Sequence, residues 1–397
     1  MYRAVAQWSA KYRPSEPATL AFLKRIQKSY VVYGDMLLLP STVYAAQYQE
    51  EIAGLRSEML GDLYGLIARE MKVSHVATTK PIPLSTNNSS TNDNDDHKKS
   101  DANIIRAPLN FTPLYGDFGT STCAADAPTA EDFEKAYWVT AKQNSIFQTW
   151  SPRWTMFSRG NVSEKARVLT LPSVLSAVED GRVDGKGCSA VDLYVGIGYF
   201  AFSYLKVGVI VVVGWDLNGW SVEGLRRGAE ANGWGVEISR QEDGDGEGEV
   251  AGGEGKLWEE GGRNIRLVVF NEDNTRASSR IEQMRLSGSL PPVRHVNCGL
   301  LPTSAGSWET AVRVLDEAYD GWLHVHENFA VAEIAQKAEE VREKIQGLVD
   351  EITARRHGLQ NAGRRLVKVD HINRLKSYAP GVMHCVLDIY VSKYVPG

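Results

Sequence analysis

An acid followed by two glycines closes a short apolar run in Asp192-Leu-Tyr-Val-Gly196-Ile-Gly198-Tyr199-Phe200. Glycine lets the main chain turn tightly and come close to a ligand, as the carboxyl end of a parallel sheet must where it holds a cofactor. Eighteen residues beyond Gly198, a second apolar run ends in Asp216. A carboxylate there can accept from both ribose hydroxyls of an adenosine group, in nicotinamide and S-adenosylmethionine enzymes alike. A third run ends in Asn271-Glu-Asp273-Asn274, whose acid and amide suit the amino edge and ring nitrogen of adenine. A fourth ends in Asn297-Cys-Gly-Leu-Leu-Pro302. The dinucleotide fingerprint asks for a third glycine, and position 201 is alanine. Alone, the glycine loop is compatible with a plain turn, a dinucleotide site or a nucleoside site. Taken in order, Asp192, Gly196, Gly198, Asp216, Asp273 and Asn274 favour a nucleoside-reading transferase over a dehydrogenase, which has no particular need of the acid–amide pair.

The elements that must position these residues alternate along the chain. Strands are expected over residues 191–195, 209–215, 265–270, 294–298, 322–326, 366–370 and 384–391. Helices are expected through Phe202 and Leu205, over 219–232, near 308–318 and over 331–356. Such alternation predicts an α/β fold: a doubly wound, mostly parallel, seven-stranded sheet with helices on both faces, occupying residues 151–397. Residues 1–150 read as a separate, smaller α/β domain without catalytic machinery. In it, residues 31–40 form two short strands about a Gly34-Asp35 turn. Residues 44–71 carry Ile52, Leu55, Met59, Leu63 and Leu66 at helical spacing and predict a long amphipathic helix. Residues 85–100 hold no apolar side chain, too little to offset the entropy of ordering, and read as a flexible linker. Thr129-Ala-Glu-Asp132 matches a capping box, opening a helix expected to include Phe133, Tyr137 and Trp138.

With 397 residues, 43% hydrophobic and 23% charged, the chain can bury two cores. No run of 18 apolar residues appears and no basic-then-apolar leader opens the sequence, so the cytoplasm is the expected address. Cys123, Cys188, Cys298 and Cys385 lie far apart with no C-x-x-C pair, which suits a reducing compartment and not a zinc site. His324 and His326 share a strand face, but no third ligand lies near in sequence and no metal is expected. Net charge is −5, yet residues 241–262 alone hold eight acids and one lysine; with −7 confined there, the remainder carries +2. That Gly/Glu-rich stretch falls between elements and reads as a surface insertion. Near the other end, Arg355, Arg356, Arg364, Arg365, Lys368, Arg374 and Lys376 stand against Asp370 alone. The Arg355–Lys376 region can meet phosphates as a basic surface; a solvated helix face is the plainer alternative.

Ahead of the sheet, Thr155-Met-Phe-Ser158-Arg-Gly160-Asn161-Val-Ser-Glu164-Lys165-Ala-Arg167 resembles the F-S-x-G-N-x-x-E-[RK] segment of the tRNA wybutosine-synthesizing protein 2 family. The wider relatives of that family methylate N1 of guanosine 37. Residues 192–200, 297–302, His324-Val-His-Glu-Asn328 and Lys376-Ser-Tyr-Ala-Pro380 also look like the family, so the resemblance covers about residues 150–395. Residues 31–40 are a weaker match to its G-D-x-x-L-L-P segment. The resemblance implies a Rossmann-like class I methyltransferase sheet with a smaller N-terminal α/β domain that contacts tRNA. It implies transfer of the 3-amino-3-carboxypropyl group of S-adenosylmethionine to 4-demethylwyosine at position 37, in the anticodon stem-loop of phenylalanine tRNA. The by-product would be 5′-methylthioadenosine. By motif position, the family's cofactor contacts fall on Ser158, Lys165, Asp216, Asp273 and Asn274. Two departures stand out: position 216 is Asp where the family usually has Glu, and the 241–262 insertion is not a family feature.

The sulfonium carries three activated carbons, and geometry selects the one that meets the nucleophile. Transfer of the three-carbon arm needs its γ-carbon facing the base and the methyl group turned away. Lys165 is the expected partner of the arm's carboxylate, with Ser158 donating a hydrogen bond. Asn297 and the main chain of residues 300–302 are expected to line the base pocket, with Tyr199 or Phe200 as a wall; core packing is an ordinary role for either aromatic. The nucleophile belongs to the substrate, and no side chain stands out as a general base. The alternative within the same class is N1-methylation of guanosine 37. Against it, the loop reads Gly-Ile-Gly-Tyr-Phe where the methylases tend to have Gly-x-Gly-Pro-Phe, and Asn-Cys-Gly-Leu-Leu-Pro replaces their Asn-Leu-Pro. A non-catalytic tRNA-binding scaffold would have lost cofactor residues, yet Asp216, Asp273 and Asn274 are all present.

Overall fold

The computed structural model describes residues 1–40, 43, 55–79, 108, 111–123, 127–157, 159–240, 264–358 and 363–396. The chain divides into two compact units, Met1–Lys142 with Thr149–Phe157, and Gln143–Gln148 with Ser158–Gly397. Residues 44–54 of the expected long helix, the 85–100 stretch and the 241–262 insertion lie outside the described residues.

In the first unit, helices α1 (Tyr2–Tyr12), α2 (Pro17–Lys28) and α3 (Ser57–Met71) accompany a four-stranded sheet. Its strands are β1 (Val31–Tyr33), β2 (Met36–Pro40), β3 (His75–Thr79) and β4 (Thr112–Tyr115), paired in that order. The apolar stripes bury Trp8, Phe22, Ile26, Leu37, Leu63 and Ile67 in one core. Gly34 turns the first hairpin at φ 51°, and a Cβ there would lie 2.4 Å from the Thr140 carbonyl oxygen. The neighbouring Asp35 carboxylate accepts from Ser74 Oγ at 2.5 Å and Tyr137 OH at 2.6 Å, which ties the turn to the start of β3. Helix α4 (Ala130–Lys135) opens with the expected capping box on Thr129 and Asp132. It stops short of Tyr137 and Trp138, because the Trp138 indole takes the Phe133 carbonyl and the Tyr137 hydroxyl is committed to Asp35.

Strands β5 (Val139–Gln143) and β6 (Ile146–Trp150) make a hairpin whose two turn residues, Asn144 and Ser145, take φ 51° and 60°. Positive φ at both positions is what a two-residue turn between twisted strands requires.

The second unit is an eight-stranded sheet in the order β13-β14-β12-β11-β7-β8-β10-β9. Its parallel members are β7 (Ser189–Asp192), β8 (Val211–Trp215), β9 (Gly235–Arg240), β10 (Ile265–Asn271), β11 (Val293–Cys298) and β12 (Gly321–Ala330). Strand β14 (Val382–Val391) runs antiparallel between β12 and β13 (Val367–Ala379). All seven expected strands are present, and β9 adds an eighth at the edge. Its sequence Gly-Val-Glu-Ile-Ser-Arg alternates apolar and polar over only four residues, a signal too short to set it apart from the loop around it.

Helices α5 (Val162–Val168), α6 (Pro172–Val183), α7 (Ala201–Val207), α8 (Gly219–Ala231), α9 (Ala277–Leu286), α10 (Trp308–Val314) and α11 (Ile334–His357) complete the unit. One core joins Val213, Val296, Val325 and Leu387 to Ile281, Val312 and Ile345 from α9, α10 and α11. A second core joins Ala190, Val212 and Leu267 to Val174, Phe202 and Leu225 from α6, α7 and α8. On the β11–β12–β14 part of the sheet, that second face turns polar: His295, Asn297, His324, His326, His384 and Asp388 are all buried.

One member of the expected basic surface over Arg355–Lys376 is not on the surface. Arg365 is 1% exposed, donates from Nε to the Ser392 carbonyl at 2.9 Å and lies 3.8 Å from Glu317. Arg355 pairs with Glu351, Arg356 with Glu317 and Lys368 with Asp370, so much of the positive charge is matched locally. A charge count along the chain sees Glu351 and Asp370 but not Glu317, which comes from far away in sequence. Among the described residues no helix is long and apolar enough to cross a membrane.

Candidate functional site

The glycine loop turns where β7 ends. Gly196 and Gly198 take φ 54° and 86°, and a Cβ on Gly198 would lie 2.6 Å from the Phe202 ring. The loop is held from both sides: Val195 N–H donates to the Trp215 carbonyl at 2.8 Å, and Gly196 N–H to Asp216 Oδ2 at 2.9 Å. Asp216 Oδ1 accepts from Asn218 N–H at 2.8 Å, and the Asn271 amide holds the Asp216 carbonyl at 2.8 Å. Main-chain N–H groups on both oxygens thus hold the Asp216 carboxylate at the end of β8.

Asp192 is fully buried. Its Oδ1 accepts from Asn297 Nδ2 at 3.1 Å and Tyr194 N–H at 3.2 Å, while Oδ2 takes no hydrogen bond from the protein. Burial pushes this carboxyl up to about 7, against the hydrogen bonds that favour its ionised form. The parallel register that sets Asn297 beside Asp192 brings together two residues chosen from separate motifs. Asn274 donates to the Leu193 carbonyl at 2.8 Å and so ties the turn after β10 to the loop after β7. Asp273 is exposed and caps Thr275 N–H at 2.8 Å. Ser158 lies outside the described residues.

Lys165, on α5, is 3% exposed. Its ammonium donates to Gln143 Oε1 at 2.6 Å and Gln148 Oε1 at 2.9 Å, and sits 5.2 Å from the centre of the Tyr199 ring. Burial lowers it to about 8. The two glutamines flank the hairpin turn, and no spacing in the sequence connects them with Lys165. Phe200 is buried, with its ring 5.2 Å from His326.

The segment after β11, expected to line a base pocket, is held by Glu327 on β12. Glu327 Oε1 accepts from Ser304 N–H at 2.7 Å, Thr303 Oγ1 at 2.9 Å and Ser304 Oγ at 3.2 Å, and Asn328 N–H donates to the Pro302 carbonyl at 3.0 Å. The paired histidines have other partners: His324 bonds Asp388 and His295, and His326 bonds His384. Among the described residues no group of three His, Cys, Asp or Glu is placed to hold a metal ion. Sequence reasoning also passed over Glu164, Arg167 and Asp388, although the first two lie inside the segment that carried the resemblance.

Comparison with known proteins adds independent evidence. The tRNA wybutosine-synthesizing protein 2 of Schizosaccharomyces pombe is 34% identical over 368 residues, covering 92% of this chain and 72% of its own length. The Saccharomyces cerevisiae protein of the same name is 31% identical over 74% of this chain, and the chain spans 58% of its length. No protein-family model matches. The crystal structure of Pyrococcus horikoshii TYW2 in complex with MeSAdo superposes with a TM-score of 0.55 over 98% of this chain and 99% of its own, at 16% identity. The complex structure of aTrm5 and tRNALeu gives 0.51 over 96% and 76%, again at 16% identity. At that identity the structures establish the doubly wound α/β fold, and the sequence relatives establish the family. The chain belongs to the tRNA wybutosine-synthesizing protein 2 family.

Proposed function

We propose that this chain transfers the 3-amino-3-carboxypropyl group of S-adenosylmethionine to 4-demethylwyosine at position 37 of phenylalanine tRNA. In the reaction a bond forms between the base and the γ-carbon of the arm, the γ-carbon–sulfur bond breaks, and its electron pair stays with sulfur. Neutral 5′-methylthioadenosine leaves, and the base gives up one proton. Adenosine is held between the glycine loop, the Asp216 carboxylate and the Asp273–Asn274 turn. Asn297, with the main chain of residues 300–302, borders the base, and the first unit contributes to tRNA binding in the cytoplasm.

The observation that carries this reading is Lys165. A buried ammonium between two amide oxygens, beside the aromatic that follows the glycine loop, is a cationic contact suited to the arm's carboxylate. Held there, the arm is fixed at its far end and its γ-carbon is presented to the base. Cofactor labelled separately in the methyl and in the amino-acid carbons tests the proposal with precursor tRNA. Amino-acid label is expected in the tRNA and methyl label in the released thioether; methyl label in the tRNA refutes it in favour of methylation.

A further inference from the structure

A line of buried polar groups runs from the sheet to the helix that carries Lys165. Arg167, two residues on in α5, donates from Nη1 and Nη2 to the two oxygens of Asp388 at 2.6 and 3.0 Å. It also grips Glu164 of its own helix through Nε and Nη2, at 2.9 and 2.6 Å. Asn373 on β13 donates to the other side of Glu164. Asp388 Oδ1 meets His324 Nδ1 at 2.7 Å, His324 Nε2 meets His295 Nδ1 at 3.0 Å, and His295 Nε2 meets the Ser173 carbonyl at 3.3 Å.

The Ser173 carbonyl and the Asp388 carboxylate, at the two ends of the imidazole pair, only accept. Facing the pair are Glu164 and Arg167 on α5, Tyr204 on α7, Arg294 on β11, His326 on β12, Asp388 on β14 and His371 opposite it on β13. Burial and neighbouring cations hold His295 well below its ordinary range. Burial favours the neutral form of Asp388, but His324 and Arg167 outweigh it and hold the carboxyl well below the usual range. Arg167 thus stands between two carboxylates, Asp388 on the sheet and Glu164 on its own helix.

We propose that His324, Asp388 and Arg167 are positioning residues that fix α5, and through it the Lys165 ammonium, against the sheet. Helix α5 has only seven residues, too few to be stable by itself, so its placement depends on what grips it. The inference rests on the reading of Lys165 as the arm's anchor, and the arm is what the device serves.

The test uses the full-length chain and two ligands that differ only in the arm, S-adenosylmethionine and 5′-methylthioadenosine. Asp388→Asn keeps the shape and removes the charge, and is expected to weaken the first roughly tenfold, the scale on which an outer partner moves a site's affinity, while leaving the second unchanged. Arg167→Lys, which keeps the charge and loses the fork, should show the same split and serves if Asp388→Asn does not fold. Equal weakening of both ligands, or no weakening of either, overturns the positioning role. Lys165→Met separates the two levels: a split there with none in Asp388→Asn sinks the network alone, while no split in Lys165→Met sinks the anchor reading on which it rests.

Discussion

Replacing Lys165 by methionine should make the protein more stable alone and less stable with its cofactor. The ammonium is lowered to about 8 by burial from an ordinary 10.5, and that gap corresponds to about 3 kcal/mol of folding free energy forgone near neutral pH. Methionine fills a similar volume without the charge. Against the gain, Gln143 and Gln148 each lose a donor, at about 1 kcal/mol apiece. The remainder is a net stabilisation of about 1 kcal/mol, or roughly 2–4 °C in melting temperature for a unit of this size. At a hundredfold excess over its dissociation constant, S-adenosylmethionine should stabilise the wild type by about 2.7 kcal/mol and the variant far less. The order of the two melting temperatures therefore reverses on adding cofactor. The pH dependence has a defined sign: the unfolded chain holds the lysine proton more tightly, so wild-type stability rises relative to the variant between pH 8 and 10.5 and the gap closes. Calorimetry in buffers of different ionisation enthalpy supplies a second reading. A carboxylate arriving beside Lys165 raises its proton affinity, so wild-type binding at pH 8.5 should take up a fraction of a proton and variant binding none. A variant less stable than wild type without cofactor, with unchanged affinity and proton uptake, refutes the reasoning.

Gly198→Ala combines a left-handed φ with a Cβ pressed on the Phe202 ring; about 3 kcal/mol of lost stability and weaker cofactor binding are expected, measured by urea unfolding and calorimetry. Glu327→Ala strips the acceptor from Ser304 N–H and two hydroxyls, at a cost of about 2–3 kcal/mol. Its turnover with tRNA should fall while S-adenosylmethionine affinity holds; equal loss of both would show that the segment after β11 serves the cofactor instead. Arg365→Ala should cost roughly 2–3 kcal/mol in denaturant unfolding yet leave the salt slope of tRNA binding unaltered, because a buried guanidinium releases no counterion from phosphate. A reduced slope would return Arg365 to the tRNA-binding surface.

The catalytic fold was legible because its signals are local. An apolar run such as residues 209–215 lies between Gly208 and Asp216, and the alternation of such runs with amphipathic segments specifies a doubly wound sheet. The motifs at the strand ends were legible for the same reason, and the parallel register then set Asn297 against Asp192 without any further signal. What stayed hidden depends on residues far apart in sequence. Lys165 is held by glutamines about twenty positions upstream, and Arg167 finds Asp388 across 221 positions, so no spacing rule connects them. Arg365 misled for a related reason: charge is counted along the chain, while burial and pairing with Ser392 and Glu317 are decided across it. His324 and His326 were rightly placed on one strand face, but the neighbours that define them come from β11 and β14.

Strand β14 has a consequence for how the molecule is made. It is the last strand of the unit, yet it lies inside the sheet, flanked by β12 on one side and β13 on the other. As the chain leaves the ribosome, β12 keeps an unpaired edge until residues 382–391 emerge, and such an edge invites pairing with other chains. Asp388 arrives with that strand, so Arg167 and His324 wait for their shared partner until the final strand of this sheet has emerged. A cofactor arm can be gripped only after that closure. Nascent fragments ending before Val382 should therefore associate with chaperones and show no hold on S-adenosylmethionine, and a pulse-chase of stalled chains would follow the moment at which competence appears.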